Sequence, residues 1–275
     1  MNLKEAYSYS VAFLNGNKVD EADFKALCIV CHIAGIKNSD YASHINDDII
    51  MSRLADALWR LKSGEPLQYV IGKWDFYESE FYVGEGVLIP RPETEELVEK
   101  AVDIIKGVDK PVIVDLCSGS GCIGISLAKK FLNSTVYCIE KSKEAFRYLI
   151  KNSEDCKNVV AINADISECF KDLDIKKADL IVSNPPYIRS SELETLQDEV
   201  KAEPVMALDG GADGLDFYRI INDKWYSLIK DNGYLLLEIG NEQGKDIKEV
   251  LSNFNKTEVI KDIYGNDRIV VARVR

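Results

Sequence analysis

Asn184, Pro185, Pro186 and Tyr187 close the apolar run 178–182, and no other stretch of the chain points so directly at chemistry. Two successive prolines donate no backbone hydrogen bond and fix their own φ, so the chain there is stiff, extended and unable to continue strand pairing. The side-chain oxygen of Asn184 and the carbonyl of Pro185 are then two acceptors held in one place. Such a pair suits a planar NH₂ group whose nitrogen lone pair is delocalised into a carbonyl or an aromatic ring. Holding both protons favours charge developing on that nitrogen as a methyl group arrives, and Tyr187 offers a flat face for stacking. Taken alone, a rigid turn is the simpler reading.

A second pattern changes that balance. Gly119, Gly121 and Gly124 satisfy G-x-G-x-x-G within "VIVDLCSGSGCIGISLAKKF", a β-branched strand, a small-residue turn and an apolar helix, and Glu140 ends the next strand. Glycines let backbone approach a ligand closely, and the acidic residue can accept hydrogen bonds from ribose hydroxyls. A nucleoside cofactor is predicted there, and both dinucleotides and S-adenosylmethionine would fit. Ligands of open α/β sheets bind outside the carboxyl ends of the strands, so the loop after Ser183 should face the same crevice. With that loop in view, the expected donor is the sulfonium methyl of S-adenosylmethionine. Its in-line displacement needs positioning and electrostatics more than acid–base catalysis. The only histidines, His32 and His44, lie in the amino-terminal segment, and no metal is expected.

The elements that must position these groups can be read from periodicity. Residues 1–65 read as a small helical bundle, with Leu54, Leu58 and Leu61 on one helix face and Gly64 at its stop. Residues 66–90 alternate aromatic and β-branched with polar residues around "YESE", a β-hairpin linker. Pro92 opens a helix whose first turn holds Glu93, Glu95 and Glu96, where carboxylates suit the positive end of the helix dipole. From there to residue 275 strand and helix alternate, with strands expected at 112–116, 135–139, 159–163, 180–183, 234–239, near 258–261 and at 268–274. The fold class is α/β, a doubly wound, mostly parallel sheet.

Composition narrows the partners. The net charge is −12, from 34 basic against 46 acidic residues, so the average surface repels a phosphate backbone and no direct nucleic-acid partner is expected. No signal segment or membrane span is visible, and a cytoplasmic, monomeric protein with reduced thiols is expected. Cys28, Cys31 and His32 spell the C-x-x-C-H haem signature, but they fall in a helical, apolar stretch and read as two buried thiols one turn apart.

From residue 66 onward the chain carries "PLQYVIG", "VLIPRPETEELVE", "DLCSGSGCIGISLA", "SNPPYI", "EPVMALDGGADGLDFYRII", "LLLEIG" and "YGNDR" in order. In these stretches it resembles the protein-glutamine N-methyltransferases of peptide-chain release factors. The resemblance implies a Rossmann-like, seven-stranded class I methyltransferase domain at 91–275. It also implies methyl transfer from S-adenosylmethionine to the glutamine amide of a release factor's Gly-Gly-Gln motif, with the bundle helping to dock that protein. The cofactor would lie against Asp115, Cys117, Ser118, Gly119, Ser120, Gly121, Glu140 and Asn184, with Asp165 and Ile166 near the adenine. Asn184, Pro185 and Tyr187 would be catalytic and, with Pro186, would hold the glutamine. Arg91 and Glu93 would line the methyl end of the crevice, although a helix-start role fits them equally.

Three positions depart from the family pattern. Cys117 replaces a glycine and suggests a backbone conformation that tolerates a side chain; Glu140 replaces aspartate; Tyr264 replaces a small residue. The nearest rival is an adenine amino-group methyltransferase acting on DNA or RNA, which meets the same planar NH₂ problem but calls for basic surface. A nicotinamide-dependent dehydrogenase would leave the Asn-Pro-Pro-Tyr quartet unexplained, and a binding module that has kept only the fold would not need it.

Overall fold

The computed structural model describes residues 1–168 and 173–275. The chain divides into two compact units, residues 1–73 with 197–202, and residues 74–196 with 203–275.

The first unit is built on three helices, α1 (Leu3–Gly16), α2 (Ala22–Ala34) and α3 (Met51–Lys62), followed by the short α4 (Leu67–Ile71). A capping box starts α1: the Asn2 side chain accepts from Glu5 N, and the Glu5 carboxylate accepts from Asn2 N. Leu54, Leu58 and Leu61 of α3 are all buried, as their spacing requires, together with Leu14 and Ile29. Cys28 and Cys31 are buried on α2, and burial pushes the Cys31 thiol up to about 11. The segment 197–202 brings Glu199 into an ion pair with Lys25, whose ammonium is otherwise buried.

The second unit begins with a hairpin, β1 (Lys73–Phe76) and β2 (Ser79–Tyr82), and then α5 (Pro92–Ile105). After it come β3 (Val112–Leu116), α6 (Cys122–Lys130), β4 (Thr135–Glu140), α7 (Lys143–Ser153), β5 (Val159–Asn163) and β6 (Ala178–Ser183). The sheet is completed by β7 (Ile229–Glu238), β8 (Lys256–Lys261) and β9 (Asp267–Arg273). Seven strands form one sheet in the order β5-β4-β3-β6-β7-β9-β8, parallel except for β9 against β7 and β8. Both faces of β3, β4 and β6 are covered, which is why these inner strands read as continuous apolar runs rather than alternating ones. Val114, Leu116 and Ile139 point into one core with Trp225 and Tyr218, while Ile113, Val136 and Val182 point into the other with Leu97 and Ile125. Strand β7 starts five residues before the expected Tyr234, because a register shift against β6 between Ala178 and Leu180 carries the pairing back to Ile229.

The strand order reverses between β3 and β6, so the loops leaving their carboxyl ends diverge and open a crevice there. Those two loops carry the glycines and Asn184.

Candidate active site

The loop after β3 is folded by backbone conformation. Cys117, Gly119 and Gly121 all have positive φ, at 58°, 55° and 82°. At Gly119 a Cβ would meet only Val87 Cγ2, at 3.9 Å, so the backbone angle rather than crowding calls for glycine. Cys117 sits in the same left-handed region, where an L side chain costs about 1–2 kcal/mol. The conformation therefore does not favour a side chain there, contrary to what the replacement of glycine suggests; the cysteine is tolerated because it packs against the core around Trp225. Glu140 holds the loop shut: one oxygen accepts from Gly119 N at 2.8 Å and the other from Ser142 N at 2.6 Å. Each oxygen keeps a lone pair for a further donor. Burial raises the Glu140 carboxyl, and those N–H groups oppose the rise.

Asp115 lies beneath the loop, fully buried at the end of β3, and accepts from Gly124 N at 3.0 Å. Its Oδ1 and the buried Ser120 hydroxyl have no hydrogen-bond partner among the described residues. Burial pushes the Asp115 carboxyl up to about 7 against that Gly124 bond. For Asp165 burial also acts upward, but the ion pair with Lys141 at 2.7 Å and the Ser167 N–H at 2.8 Å outweigh it and hold the carboxyl below its ordinary range. The neighbouring Ile166 is anchored by its carbonyl, which accepts from the buried Trp225 Nε1 at 2.8 Å.

After β6 the chain runs extended through the two buried prolines. Asn184 donates from Nδ2 to Thr94 Oγ1 at 3.2 Å, and neither its Oδ1 nor the Pro185 carbonyl accepts a hydrogen bond among the described residues. The stretch 205–215 backs this loop. Ile188 N donates to Leu208 O, and Gly210 N donates to Ile188 O. A Cβ on Gly210 would lie 2.7 Å from Tyr187 Cα, so the close approach of the two backbones explains the glycine-rich "DGGADG". Gln243 Nε2 donates to the Tyr187 carbonyl at 3.1 Å, and burial pushes the Tyr187 phenol up to about 12.

Between the two loops lies a cleft of about 950 Å³, open solvent at its mouth included. Cys117, Ser118, Gly119, Ser120, Glu140, Asp165, Ile166, Asn184, Pro186 and Arg91 line it. Asp115, Gly121, Pro185, Tyr187 and Glu93 are not among its lining residues; the first two shape the glycine loop, and Pro185 and Tyr187 continue the Asn184 loop. Arg91 forms an ion pair with Glu203, whose other oxygen accepts from Ile89 N at 2.9 Å. Thr94, Leu88, Met206 and Phe217 also line the cleft, and sequence reasoning missed them. Thr94 stands inside the quoted "IPRPETE" stretch, two residues after the helix-opening proline, which was the one available signal. Asn152 of α7 was missed as well. It exchanges hydrogen bonds with both backbone groups of Tyr82 and donates to Ser120 O at 2.9 Å, tying the hairpin to the glycine loop.

A family model described as the PrmC N-terminal domain matches residues 5–72, and one described as conserved hypothetical protein 95 matches residues 83–211. A release factor glutamine methyltransferase of Thermodesulfovibrio yellowstonii is 38% identical over 88% of this chain and 89% of its own length. One of Bacillus anthracis is 33% identical over the full length of both. The chain belongs to the release factor glutamine methyltransferases. The family member of Fusobacterium nucleatum is 43% identical over 78% of this chain, and that match spans 61% of the Fusobacterium protein. Among solved structures, the hMettl16 catalytic domain in complex with a MAT2A 3′UTR hairpin superposes with a TM-score of 0.58 over 98% of this chain and 91% of its own, at 14% identity. At that identity the likeness concerns the fold alone, a class I methyltransferase sheet. No helix among the described residues is long and apolar enough to cross a membrane.

Proposed function

We propose that this chain transfers a methyl group from S-adenosylmethionine to the side-chain amide nitrogen of the glutamine in a release factor's Gly-Gly-Gln motif. The observation that carries this reading is the commitment of the Asn184 amide nitrogen to Thr94, which leaves its oxygen as a free acceptor on the cleft that Glu140 and the glycine loop also line.

The residues present fit the cofactor. Glu140 has lone pairs left for ribose hydroxyls, and Asp165 and Ile166 flank the position expected for the adenine. Among the described residues the two cations that line the cleft, Arg91 and Lys141, are each already paired with a carboxylate. That suits a sulfonium-bearing nucleoside better than the pyrophosphate of a dinucleotide. When bound, the cofactor would supply an activated methyl group: the N–C bond forms as the C–S bond breaks, sulfur leaves as a neutral thioether, and the amide nitrogen releases one proton to solvent.

The chain's own groups do the rest by position. Asn184 Oδ1 and the Pro185 carbonyl accept from the two amide protons of the substrate, turn the nitrogen toward the methyl, and stabilise the positive charge that grows on it. Tyr187 supports the planar amide and keeps the loop rigid. The helical bundle of residues 1–65 helps to dock the release factor, and the setting is the cytoplasm.

Matching a planar NH₂ leaves adenine as the second reading, favoured by the Asn-Pro-Pro-Tyr loop itself. Incubation with methyl-labelled cofactor and either a purified release factor or nucleic acid separates the two. Label on the release factor supports this proposal; label on nucleic acid alone reverses it.

A further inference from the structure

Asn184 works as an acceptor only if its carboxamide is the right way round. Rotation by 180° would present NH₂ to NH₂ and repel the substrate. Three elements converge to decide this. Asn184 follows β6, Glu238 is the last residue of β7, beside it in the sheet, and Thr94 sits in the first turn of α5. Thr94 Oγ1 and Glu238 Oε2 are 2.6 Å apart, and Asn184 Nδ2 is 3.2 Å from the same Oγ1. Thr94 and Glu238 are only 2% and 1% exposed, so the bond between them is shielded from water.

A hydroxyl has one proton to give. An ionised Glu238 accepts only and therefore takes that proton, which leaves Thr94 nothing but lone pairs for Asn184. Only the NH₂ side of the carboxamide can then face Thr94. We propose that Thr94 and Glu238 are positioning residues that set the orientation of the Asn184 carboxamide and so turn Oδ1 toward the substrate amide. This deepens the methyltransferase reading and rests on it.

The relay is sensitive to protonation. A protonated Glu238 can donate to Thr94, freeing the hydroxyl proton for the Asn184 oxygen and permitting the flipped, unproductive carboxamide. Burial pushes the Glu238 carboxyl up to about 7, against the Thr94 hydrogen bond. The charged and titratable groups around it are Arg91 and Glu93 at the start of α5, Cys122 on α6, and Tyr187, Tyr218 and Arg268. Of these only the two arginines favour its ionised form.

The test is steady-state methylation of a release factor by the full chain, with cofactor affinity measured by titration calorimetry. Thr94→Val, which keeps the shape and removes the hydroxyl, should lower kcat roughly 10- to 100-fold, leave cofactor Kd within about twofold, and be largely rescued by Thr94→Ser. Wild-type kcat should fall below about pH 7 along a one-proton limb, and Glu238→Gln should abolish that limb. Wild-type kcat in Thr94→Val, or an acid limb unchanged in Glu238→Gln, overturns the inference. Should Thr94→Val fail to fold, the Thr94→Ser rate and the Glu238→Gln profile decide. Asn184→Ala separates the two levels: if it stays active the methyltransferase reading fails too, whereas an inactive Asn184→Ala beside a fully active Thr94→Val removes only the relay.

Discussion

The third glycine of the loop motif offers a quantitative test of how the crevice is built. Gly124 lies in α6 with ordinary helical backbone, so Gly124→Ala on propensity alone would gain about 1 kcal/mol. Packing opposes it. The new Cβ would lie 2.4 Å from Cys138 Sγ and 2.9 Å from Asp115 Oδ2, about 1 Å inside ordinary contact for the sulfur. Cys138 and Asp115 are both fully buried in adjacent strands and have no room to retreat. Overpacking of this kind costs about 1–3 kcal/mol, and pushing α6 outward also stretches the Gly124 N–H bond to Asp115, worth about 1 kcal/mol or more. The net expectation is a loss of about 1–3 kcal/mol, or roughly 2–12 °C in the thermal midpoint of a chain this size. Circular dichroism melts should show it. Cys138→Ala removes the nearest atom, so the double variant should recover about 1–2 kcal/mol relative to additivity. A Gly124→Ala midpoint at or above wild type, or strict additivity in the double, would refute the close-packing argument.

Three further outcomes follow from the same structure. Gly119→Ala should weaken cofactor binding at least tenfold in calorimetry while costing only about 1 kcal/mol of stability, because its Cβ meets a strained φ rather than a wall. Asn152→Ala should lose about 2 kcal/mol and raise hydrogen exchange at residues 82 and 119–121, since three hydrogen bonds join the hairpin and the loop through that side chain. Burial raises the Glu238 carboxyl to about 7 in the fold, so between about pH 4 and 7 the folded chain binds more protons than the unfolded one and stability falls as pH rises. Denaturant titrations of wild type and Glu238→Gln should differ by about 3 kcal/mol more at pH 7 than at pH 4. A constant difference would show that Glu238 ionises normally.

The sheet was legible because its inner strands are buried on both faces, so the runs 112–116 and 135–139 stand out as apolar blocks between helical stretches, while the part-exposed edge strand 159–163 showed through its β-branched residues. Pro92 and the left-handed glycines marked the helix start and the loop by their backbone chemistry. The hydrogen-bond partners of the site were not legible. Thr94 reaches Asn184 across 90 residues and Glu238 across 144, and Asn152 reaches Tyr82 across 70; a periodicity read over one or two turns carries no trace of such pairings. Cys117 was misjudged for a related reason. Nothing about a cysteine announces a positive φ, and only the loop it belongs to imposes one. The segment 197–202 is a third case: its six residues carry no bundle-like pattern, and they join residues 1–73 through long-range contacts such as Lys25 with Glu199.

The most direct measurement is peptide fragmentation of a release factor after incubation with the full chain and S-adenosylmethionine. It should locate one added methyl on the side-chain nitrogen of the Gly-Gly-Gln glutamine, and Asn184→Ala should lose that product while still binding cofactor. A methyl group on another atom, or undiminished product from Asn184→Ala, would contradict the account.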